Sequence, residues 1–459
     1  MAKITENLQR KSNNMTYTHL QDYFYKIYIE TNRLVIYRGL LQDHIIDNVR
    51  RLLLSCSQDK HHSMETQSCL YDTVSLLMEA AEKEGFKGNA WKHYLLYQVA
   101  TSENILSRAA EKNGSNILGS SVHKAAIFDI QILKRFSQLS LQAISKVMGL
   151  KDIPLPDHFN PMNSSNGNAG KHFWEQFSTL KQGFTDDSRP EELVNTLAQF
   201  YEAVGSGRMG IHTAFRWIKG KGLCGVEYPD PVTLNDLIGY KKQKETVTQN
   251  TEAFIRGKTA NNLLLYGERG TGKSSTIKAL ANEYCHRGLR LVEVAKHQLP
   301  EFPSILRDLR NRAQYFIIFI DDLSFESYET EFKYMKALLE GGLEVKPDNV
   351  LIYATSNRRH LVQENWSDRE GQDGEIHILD SVQEKLSLAD RFGITVTYTA
   401  PGQDEYLEIV AGLAKSHGVS LPADKLREMA LQWERWHNTR SGRTARQFIN
   451  HLLGTEAES

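Results

Sequence analysis

A glycine-rich segment with the sequence Gly-Glu-Arg-Gly-Thr-Gly-Lys-Ser runs from Gly267 to Ser274. Glycines let a tight loop turn its backbone N–H groups toward a phosphate, because no side chain stands in the way. Lys273 can reach the β- and γ-phosphates of a nucleotide, and the Ser274 hydroxyl can ligate Mg²⁺. The sequence therefore predicts a nucleotide site with Mg²⁺. The expected contacts are Gly267, Glu268, Arg269, Gly270, Thr271, Gly272, Lys273, Ser274 and Ser275.

The flanks of this segment supply the elements that a phosphate-binding loop needs. The apolar run Leu263–Tyr266 precedes it and is typical of a buried strand. After it, apolar residues recur at helical spacing from Ile277 to Tyr284, which predicts a helix packed on a sheet. The N-terminus of such a helix points the positive end of its dipole at the phosphates. A chance match is the alternative interpretation, but strand, loop and helix occur in the required order.

A second apolar run, Phe316–Ile320, ends in a pair of carboxylates. A strand that ends this way delivers charge to the edge of the sheet where the phosphates lie. We expect Asp321 to orient Mg²⁺ through water and Asp322 to polarise the attacking water as a general base. Two alternatives remain open: the acids cap the next helix, or Glu326 activates the water instead.

A third apolar run, Val350–Ala354, is followed by Thr355, Ser356 and Asn357. The amide of Asn357 can hydrogen-bond the γ-phosphate or position the water. Taken alone, this polar triplet is only a turn signal. As the third strand end in order, it favours a role at the same site.

The elements that must position these residues follow from hydrophobic periodicity. Residues 1–150 show helical spacing, residues 151–230 combine a Pro- and Asn-rich linker with a helical stretch of about 172–218, residues 231–400 alternate strand and helix, and residues 401–459 are helical. The predicted fold is α/β: a parallel sheet flanked by helices, a C-terminal helical lid and an N-terminal all-helical region. The predicted strands are Leu263–Tyr266, Arg290–Val294, Tyr315–Ile320, Val350–Ala354 and Ile394–Tyr398.

Composition narrows the classes of protein that the chain can be. The net charge of −1 indicates neither a generally nucleic-acid-binding nor a membrane-seeking surface. The four cysteines are far apart, which argues against a zinc site or a disulfide framework and suits a reducing compartment. The polar first residues lack the apolar core of a signal peptide, and no apolar run is long enough for a membrane helix. We expect a cytoplasmic protein.

Taken together, these segments resemble an AAA+ ATPase module, which implies ATP as the nucleotide. Ile238, Gly239 and Tyr240 resemble the segment that packs against adenine, and Asn357 matches the sensor-1 position. Residues 386–393 resemble the motif that carries the arginine finger, which makes Arg391 the candidate. Residues 441–448 resemble the sensor-2 helix of the lid.

Two arginines of the sensor-2 segment are candidates for a nucleotide contact. Arg446 is the better match and Arg443 the alternative.

A closer resemblance is to one bacterial family of stand-alone AAA+ ATPases, known as domain of unknown function 815. The motifs that carry it are GERGTGKSS, DDLSFE, LEGG, ATSNRRHL and SGRTARQF. The resemblance covers about residues 200–455, and the family's name leaves its substrate open. Residues before about 200 resemble no family that we can name.

The resemblance implies that Arg391 acts on the ATP of a neighbouring subunit, because AAA+ arginine fingers come from the adjacent protomer. A guanidinium aimed at the γ-phosphate is worth about 10³–10⁵ in rate. The chain is therefore expected to form a homo-oligomeric ring, most often six-membered in this class. An ordinary surface salt bridge is the alternative role for Arg391. The polar segment 369–375 is a further candidate for a subunit contact.

The expected role is the remodelling or assembly of a protein complex whose other members are unknown. Residues 295–303 lack the aromatic-hydrophobic-glycine triplet of ring machines that thread chains, which disfavours processive unfolding. The first alternative is a nucleic-acid-linked ATPase, since helicase loaders and initiators carry a similar pair to Asp321 and Asp322, although no helix-turn-helix signature supports it. The second is a slow nucleotide-gated switch, because most AAA+ proteins have Glu at the position of Asp322.

Overall fold

The computed structural model describes residues 18–58, 62–115, 119–150, 152–162, 170–185, 187–325, 331–340, 346–358, 361 and 388–456. The chain divides into two compact units, Met1–His212 and Thr213–Ser459. Each unit contains its own cluster of buried apolar side chains. Among the described residues, no helix combines the length and apolar character needed to cross a membrane.

The first unit is built from helices, as the sequence predicts. The side chains of Asp43, Ser63 and Asn89 start three of them by accepting hydrogen bonds from backbone N–H groups of the first turn. Leu70 and Val74, which carry the predicted helical spacing, are buried. The α-helices are residues 18–31 (α1), His44–Ser57 (α2), Met64–Glu84 (α3), Ala90–Ala100 (α4), Ile105–Asn113 (α5), Ser120–Ser137 (α6), Leu141–Val147 (α7), Lys171–Gly183 (α8), Pro190–Val204 (α9) and Arg208–Ile211 (α10).

The second unit combines a sheet with helices. Its strands are Ala214–Ile218 (β1), Gly222–Gly225 (β2), Leu263–Gly267 (β3), Leu289–Glu293 (β4), Tyr315–Ile320 (β5), Val350–Ser356 (β6) and Ile394–Tyr398 (β7). Its α-helices are Lys241–Ile255 (α11), Lys273–Tyr284 (α12), Phe302–Arg310 (α13), Glu331–Glu340 (α14), Gln403–Ser416 (α15), Ala423–His437 (α16) and Gly442–Glu456 (α17).

The sheet has the strand order β2-β1-β4-β5-β6-β3-β7, and only the pairing of β1 with β2 is antiparallel. The register places Ile320 of β5 beside Ala354 of β6, and Tyr266 of β3 beside Ser356 of β6. The three strands therefore end at the same edge of the sheet. All five predicted strands are present, and the predicted α/β fold with a helical lid is confirmed.

The predicted helix over residues 172–218 is wrong at its end. Residues Ala214–Ile218 form β1, which extends the sheet beside β4 and pairs with β2 at the edge. The burial of Ala214–Ile218 alternates along the strand, with Phe215 and Trp217 buried and their neighbours more exposed. This period of two is a strand signal that the helical pattern of the preceding residues obscured.

The lid consists of α15, α16 and α17. Its core contains apolar residues at helical spacing, because Leu426 and Ala430 of α16 and Phe448 and Ile449 of α17 are buried. Tyr406 of α15 is fully buried in the same cluster. The lid therefore has a packed core of its own.

Candidate functional site

A cleft of about 650 Å³ lies at the carboxyl edge of the sheet and is bordered by the lid. Concave sites of this size are typical of small-molecule binding. The cleft is lined by most of the residues that the sequence singles out. These are Ile238, Gly239, Tyr240, Arg269, Gly270, Thr271, Gly272, Lys273, Ser274, Ser275, Asp321, Asp322, Asn357, Arg443 and Arg446.

The glycine-rich loop folds around the Lys273 side chain. The Lys273 ammonium donates to the carbonyl oxygens of Gly267 at 2.8 Å and Glu268 at 2.7 Å. Gly267 and Glu268 thus contribute carbonyls to the loop without lining the cleft. Burial lowers the pKa of Lys273, while the nearby Asp322 and Asp321 carboxylates act in the opposite direction. The ammonium is a buried cation at the centre of the site.

Gly267 is required as glycine by its surroundings. Its φ of +138° lies in a region that L-residues rarely adopt, and a Cβ atom built on it would collide with the Tyr398 carbonyl of β7. The same carbonyl accepts a hydrogen bond of 2.9 Å from the Glu268 N–H. The loop is therefore anchored to β7 as it leaves β3.

Asp321 lies between two hydroxyl groups. The Ser274 hydroxyl at the start of α12 donates to Asp321 Oδ1 at 2.6 Å, and the Thr355 hydroxyl donates to the same oxygen at 2.5 Å. The predicted pair of Mg²⁺ residues, Ser274 and Asp321, is thus brought into direct contact. Mg²⁺ prefers hard oxygen ligands and uses one or two carboxylates together with waters and phosphates. The donor set fits Mg²⁺.

Asp322 has an unusual backbone and two side-chain partners nearby. Its φ of +51° lies in the left-handed region, which costs a residue with a Cβ about 1–2 kcal/mol. Its N–H donates to the Thr355 hydroxyl at 2.9 Å, and Asn357 Nδ2 donates to its Oδ1 at 2.6 Å. Asn357 Oδ1 in turn accepts from the Lys273 ammonium at 3.2 Å. Lys273, Asn357 and Asp322 form one hydrogen-bonded chain across three strand ends.

The other end of the cleft is apolar. Ile238 packs so closely on α15 that a Cβ atom at Gly412 would collide with it. The Tyr240 ring lies 5.1 Å from the Tyr398 ring, and its hydroxyl donates to the Thr399 carbonyl at 2.8 Å. These contacts make a surface suited to a flat aromatic base.

The two lid arginines lie at different places along the cleft. The Arg443 N–H donates to the Gly270 carbonyl at 3.2 Å, so the start of α17 touches the phosphate-binding loop. Arg446 lies one turn further along α17, where its charge lowers the pKa of Asp236, after the larger effect of the Thr233 hydrogen bonds. Asp236 lines the cleft and precedes Ile238 of its apolar end by two residues in the chain. Arg443 is therefore the arginine nearer the loop.

Arg391 does not line the cleft of its own chain. It follows the helical residues 388–390 before β7, and its guanidinium forms an ion pair with Glu340 of α14. The Arg391 side chain is 23% exposed and the Glu340 side chain 42% exposed. Glu326 and the polar segment 369–375 lie outside the described residues.

Comparison with known proteins gives a match to one family. A family model described as Protein of unknown function (DUF815) matches residues 210–456, which is more than half of the chain. The chain belongs to this family. The membership that the sequence motifs predicted is therefore confirmed, and residues 210–456 contain the described α/β sheet with its glycine-rich loop.

Curated relatives match this DUF815 member only over short stretches. Replication factor C large subunit of Methanococcus vannielii is 42% identical over 59 residues, which is 13% of this chain and 12% of that protein. Probable replication factor C subunit 5 of Dictyostelium discoideum is 32% identical over 114 residues, covering 22% of this chain and 32% of that protein. The chain thus spans less than a third of the length of these relatives.

Solved structures also resemble the DUF815 member. A mutant of Thermotoga maritima RuvB is 18% identical, covers 50% of this chain and 68% of that chain, and superimposes with a TM-score of 0.35.

The sequence placed Thr355 in the polar triplet after the third apolar run but assigned it no role of its own in the site. Its hydroxyl contacts the Asp321 side chain and the Asp322 backbone, and its side chain is buried. A threonine at the end of an apolar strand, next to a strand that ends in acids, is the signal that could have found it. Tyr398 was missed as well, because its contribution to the loop is a backbone carbonyl that any residue could supply.

Proposed function

We propose that the cleft binds ATP with Mg²⁺ and hydrolyses ATP to ADP and phosphate. One observation carries the proposal: three neighbouring strand ends present a lysine, two carboxylates and an amide to a single cleft. Phosphoryl transfer needs charge stabilisation, a metal site and a group that orients water, and this set supplies all of them.

The contacts of each side chain support a distinct role. Lys273 exchanges its two carbonyl acceptors for the β- and γ-phosphates, whose negative charge makes them stronger acceptors. Asp322 accepts the proton of the attacking water, while Asn357 holds the Asp322 carboxylate beside the γ-phosphate. Ser274 and Asp321, which lie in direct contact, would hold Mg²⁺, and the ion would supply charge neutralisation for phosphoryl transfer.

Slow turnover fits the geometry of Asp322. The side chain is one methylene shorter than the glutamate of most AAA+ proteins, and its Oδ1 is held by Asn357 at 2.6 Å. To activate a water, the carboxylate must share its oxygens between the amide and the water. A nucleotide-gated switch with little hydrolysis is therefore the alternative within this proposal.

The lid arginines are proposed as nucleotide contacts of different kinds. Arg443 lies against the loop at Gly270, which supports a contact with the terminal phosphates. Arg446 lies toward Asp236 and the apolar end, which supports a contact nearer the nucleoside. Arg443 is therefore our choice for the contact with the terminal phosphates.

We further propose a homo-oligomeric ring in which Arg391 serves the cleft of a neighbouring copy. Two observations support this: Arg391 lies outside its own cleft, and its side chain remains partly exposed. In the ring, the γ-phosphate would replace Glu340 as the partner of the guanidinium. Contacts in which one surface of a subunit binds a different surface of the next generate a closed ring when the rotation between subunits closes.

The proposed cellular role is the remodelling or assembly of a protein complex in the cytoplasm. All four cysteine thiols are free, which suits a reducing compartment. A nucleic-acid-linked ATPase is the second candidate, favoured by the local identity to replication factor C subunits.

A variant of Lys273 and a variant of Asp322 should have different effects: the first should weaken ATP binding, and the second should slow ATP hydrolysis. Lys273→Ala removes a buried charge from the phosphates and should weaken ATP binding about 10- to 100-fold. Asp322→Asn keeps the binding contacts and should lower the hydrolysis rate about 100-fold or more. Fluorescent-nucleotide titration and phosphate release measure the two effects.

Lys258→Ala and Asp308→Asn are the matched controls, because they remove the same charges from exposed positions outside the cleft. Wild-type ATP affinity in Lys273→Ala would rule out the proposed phosphate site. Wild-type turnover in Asp322→Asn would show that another group activates the water.

Variants of the two lid arginines should differ in how strongly they distinguish ATP from ADP, which lacks the γ-phosphate. Arg443→Ala should weaken ATP binding about tenfold and ADP binding much less, because one charge-assisted contact to the terminal phosphate is lost. Arg446→Ala should weaken ATP and ADP binding alike. Calorimetric titration with both nucleotides measures the ratio, and the exposed Arg435→Ala of α16 is the control. Equal ATP-to-ADP ratios in the two variants would refute the division of roles.

Mixing two inactive variants tests whether Arg391 acts on a neighbouring copy. Arg391→Ala retains its own acids and Asp322→Asn retains its arginine, so a mixed ring contains complete interfaces. Random mixing makes about a quarter of interfaces complete, and ATPase activity should return to roughly that fraction. Asp322→Asn mixed with Lys273→Ala is the control, because both changes damage the same cleft. Activity that stays absent in the first mixture would contradict a shared site.

The role is tested by asking what the ATP-bound state holds. Asp322→Asn should retain ATP and co-purify with a protein partner that Lys273→Ala does not retain. For the second candidate, the full chain should bind mixed-sequence DNA, with an affinity that falls steeply as salt rises. DNA binding of this kind without a nucleotide-dependent protein partner would replace the first role with the second.

A further inference from the structure

Thr355 makes three hydrogen bonds to consecutive residues of the neighbouring strand end. Its hydroxyl donates to Asp321 Oδ1 at 2.5 Å and accepts from the Asp322 N–H at 2.9 Å. Its carbonyl accepts from the Leu323 N–H at 2.7 Å. The segment that carries both acids is therefore attached to one residue of β6.

The directions of the two hydroxyl bonds are fixed by chemistry. An ionised carboxylate can only accept and a backbone N–H can only donate, so the single Thr355 proton must point to Asp321. The side chain is 2% exposed, which leaves little freedom to rotate away from this arrangement. A residue with the same shape but no hydroxyl could satisfy neither partner.

The register of the sheet explains why Thr355 reaches both acids. Ile320, the last residue of β5, pairs with Ala354 of β6, so Asp321 leaves the sheet beside Thr355, which continues β6. At this point the chain turns sharply, because Asp322 adopts a left-handed backbone. The N–H bond to the Thr355 hydroxyl, together with the Asn357 bond to Oδ1, holds Asp322 in that conformation.

We propose that Thr355 is a positioning residue, whose hydroxyl sets the Asp321 carboxylate for Mg²⁺ and the Asp322 carboxylate for water. The inference rests on the proposed ATPase function and adds to it a residue that acts through both acids. Groups that orient metal ligands without touching the metal commonly change metal affinity or activity when they are lost.

The test replaces Thr355 with valine, which keeps the branched shape and removes the hydroxyl. ATP affinity without Mg²⁺ should stay near the wild-type value, because Lys273 and the loop are intact. Mg²⁺ should strengthen ATP binding, and the Mg²⁺ concentration that gives half of this effect should rise about tenfold or more in the variant. Its kcat should fall about 10- to 100-fold. Thr355→Ser retains the hydroxyl and should restore both quantities to near wild type.

Thr251→Val is the matched control. It removes a buried threonine hydroxyl that lies in α11 and contacts Tyr353 of the same strand β6 at 2.8 Å, away from the acids. It should lower thermal stability without moving the Mg²⁺ requirement. If Thr355→Val does not fold, Thr355→Ala provides a second variant without the hydroxyl and with less bulk.

The outcomes separate this inference from the function on which it rests. Thr355→Val with a wild-type Mg²⁺ requirement and kcat, while Asp321→Asn loses the Mg²⁺ response, would overturn the positioning role and leave the ATPase proposal intact. If the wild type binds Mg²⁺-ATP without hydrolysing it, the binding measurement alone decides. A higher Mg²⁺ requirement in Thr355→Val, together with a wild-type requirement in Thr355→Ser, then supports the inference. A wild type whose ATP binding ignores Mg²⁺ would overturn both.

Discussion

The site depends on one constraint: β3, β5 and β6 are adjacent parallel strands that end at the same edge of the sheet. A different group follows each strand at that edge, and these groups hydrogen-bond to one another. Lys273, Asn357 and Asp322 are linked in one chain, and Ser274 contacts Asp321 in another. Hydrogen bonds of this kind hold the polar groups at that edge in fixed positions relative to one another.

Much of this arrangement follows from the sequence, because buried parallel strands are short apolar runs and their polar ends are visible in the chain. The five core strands were predicted with bounds within two residues of those in the structure. The sequence also predicts that Lys273, Asp321 and Asn357 belong to one site. Strand β1, which pairs with β2 and β4, was missed, since its alternation over five residues is too short to stand out beside a helical stretch. Thr355 was missed because its role depends on the register between β5 and β6, which no local pattern encodes.

In the lid and at Asp322, backbone geometry gives information about the site that the residue types alone do not carry. The resemblance to the sensor-2 helix favoured Arg446; both Arg446 and Arg443 line the cleft, and the Arg443 N–H donates to the Gly270 carbonyl of the loop. The left-handed backbone of Asp322 suits aspartate, which tolerates that region better than most residues, and this is a physical reason for the departure from the usual glutamate. The Asp322 carboxylate extends less far than that of a glutamate, but the constrained turn holds it in a defined position.

The most direct measurement is a crystal structure of the chain with Mg²⁺ and a non-hydrolysable ATP analogue. The account predicts that the triphosphate lies on the loop, with Lys273 and Asn357 at the γ-phosphate and Mg²⁺ held on the side of Ser274 and Asp321. A nucleotide bound elsewhere, or a triphosphate that contacts only one of the three strand ends, would contradict it.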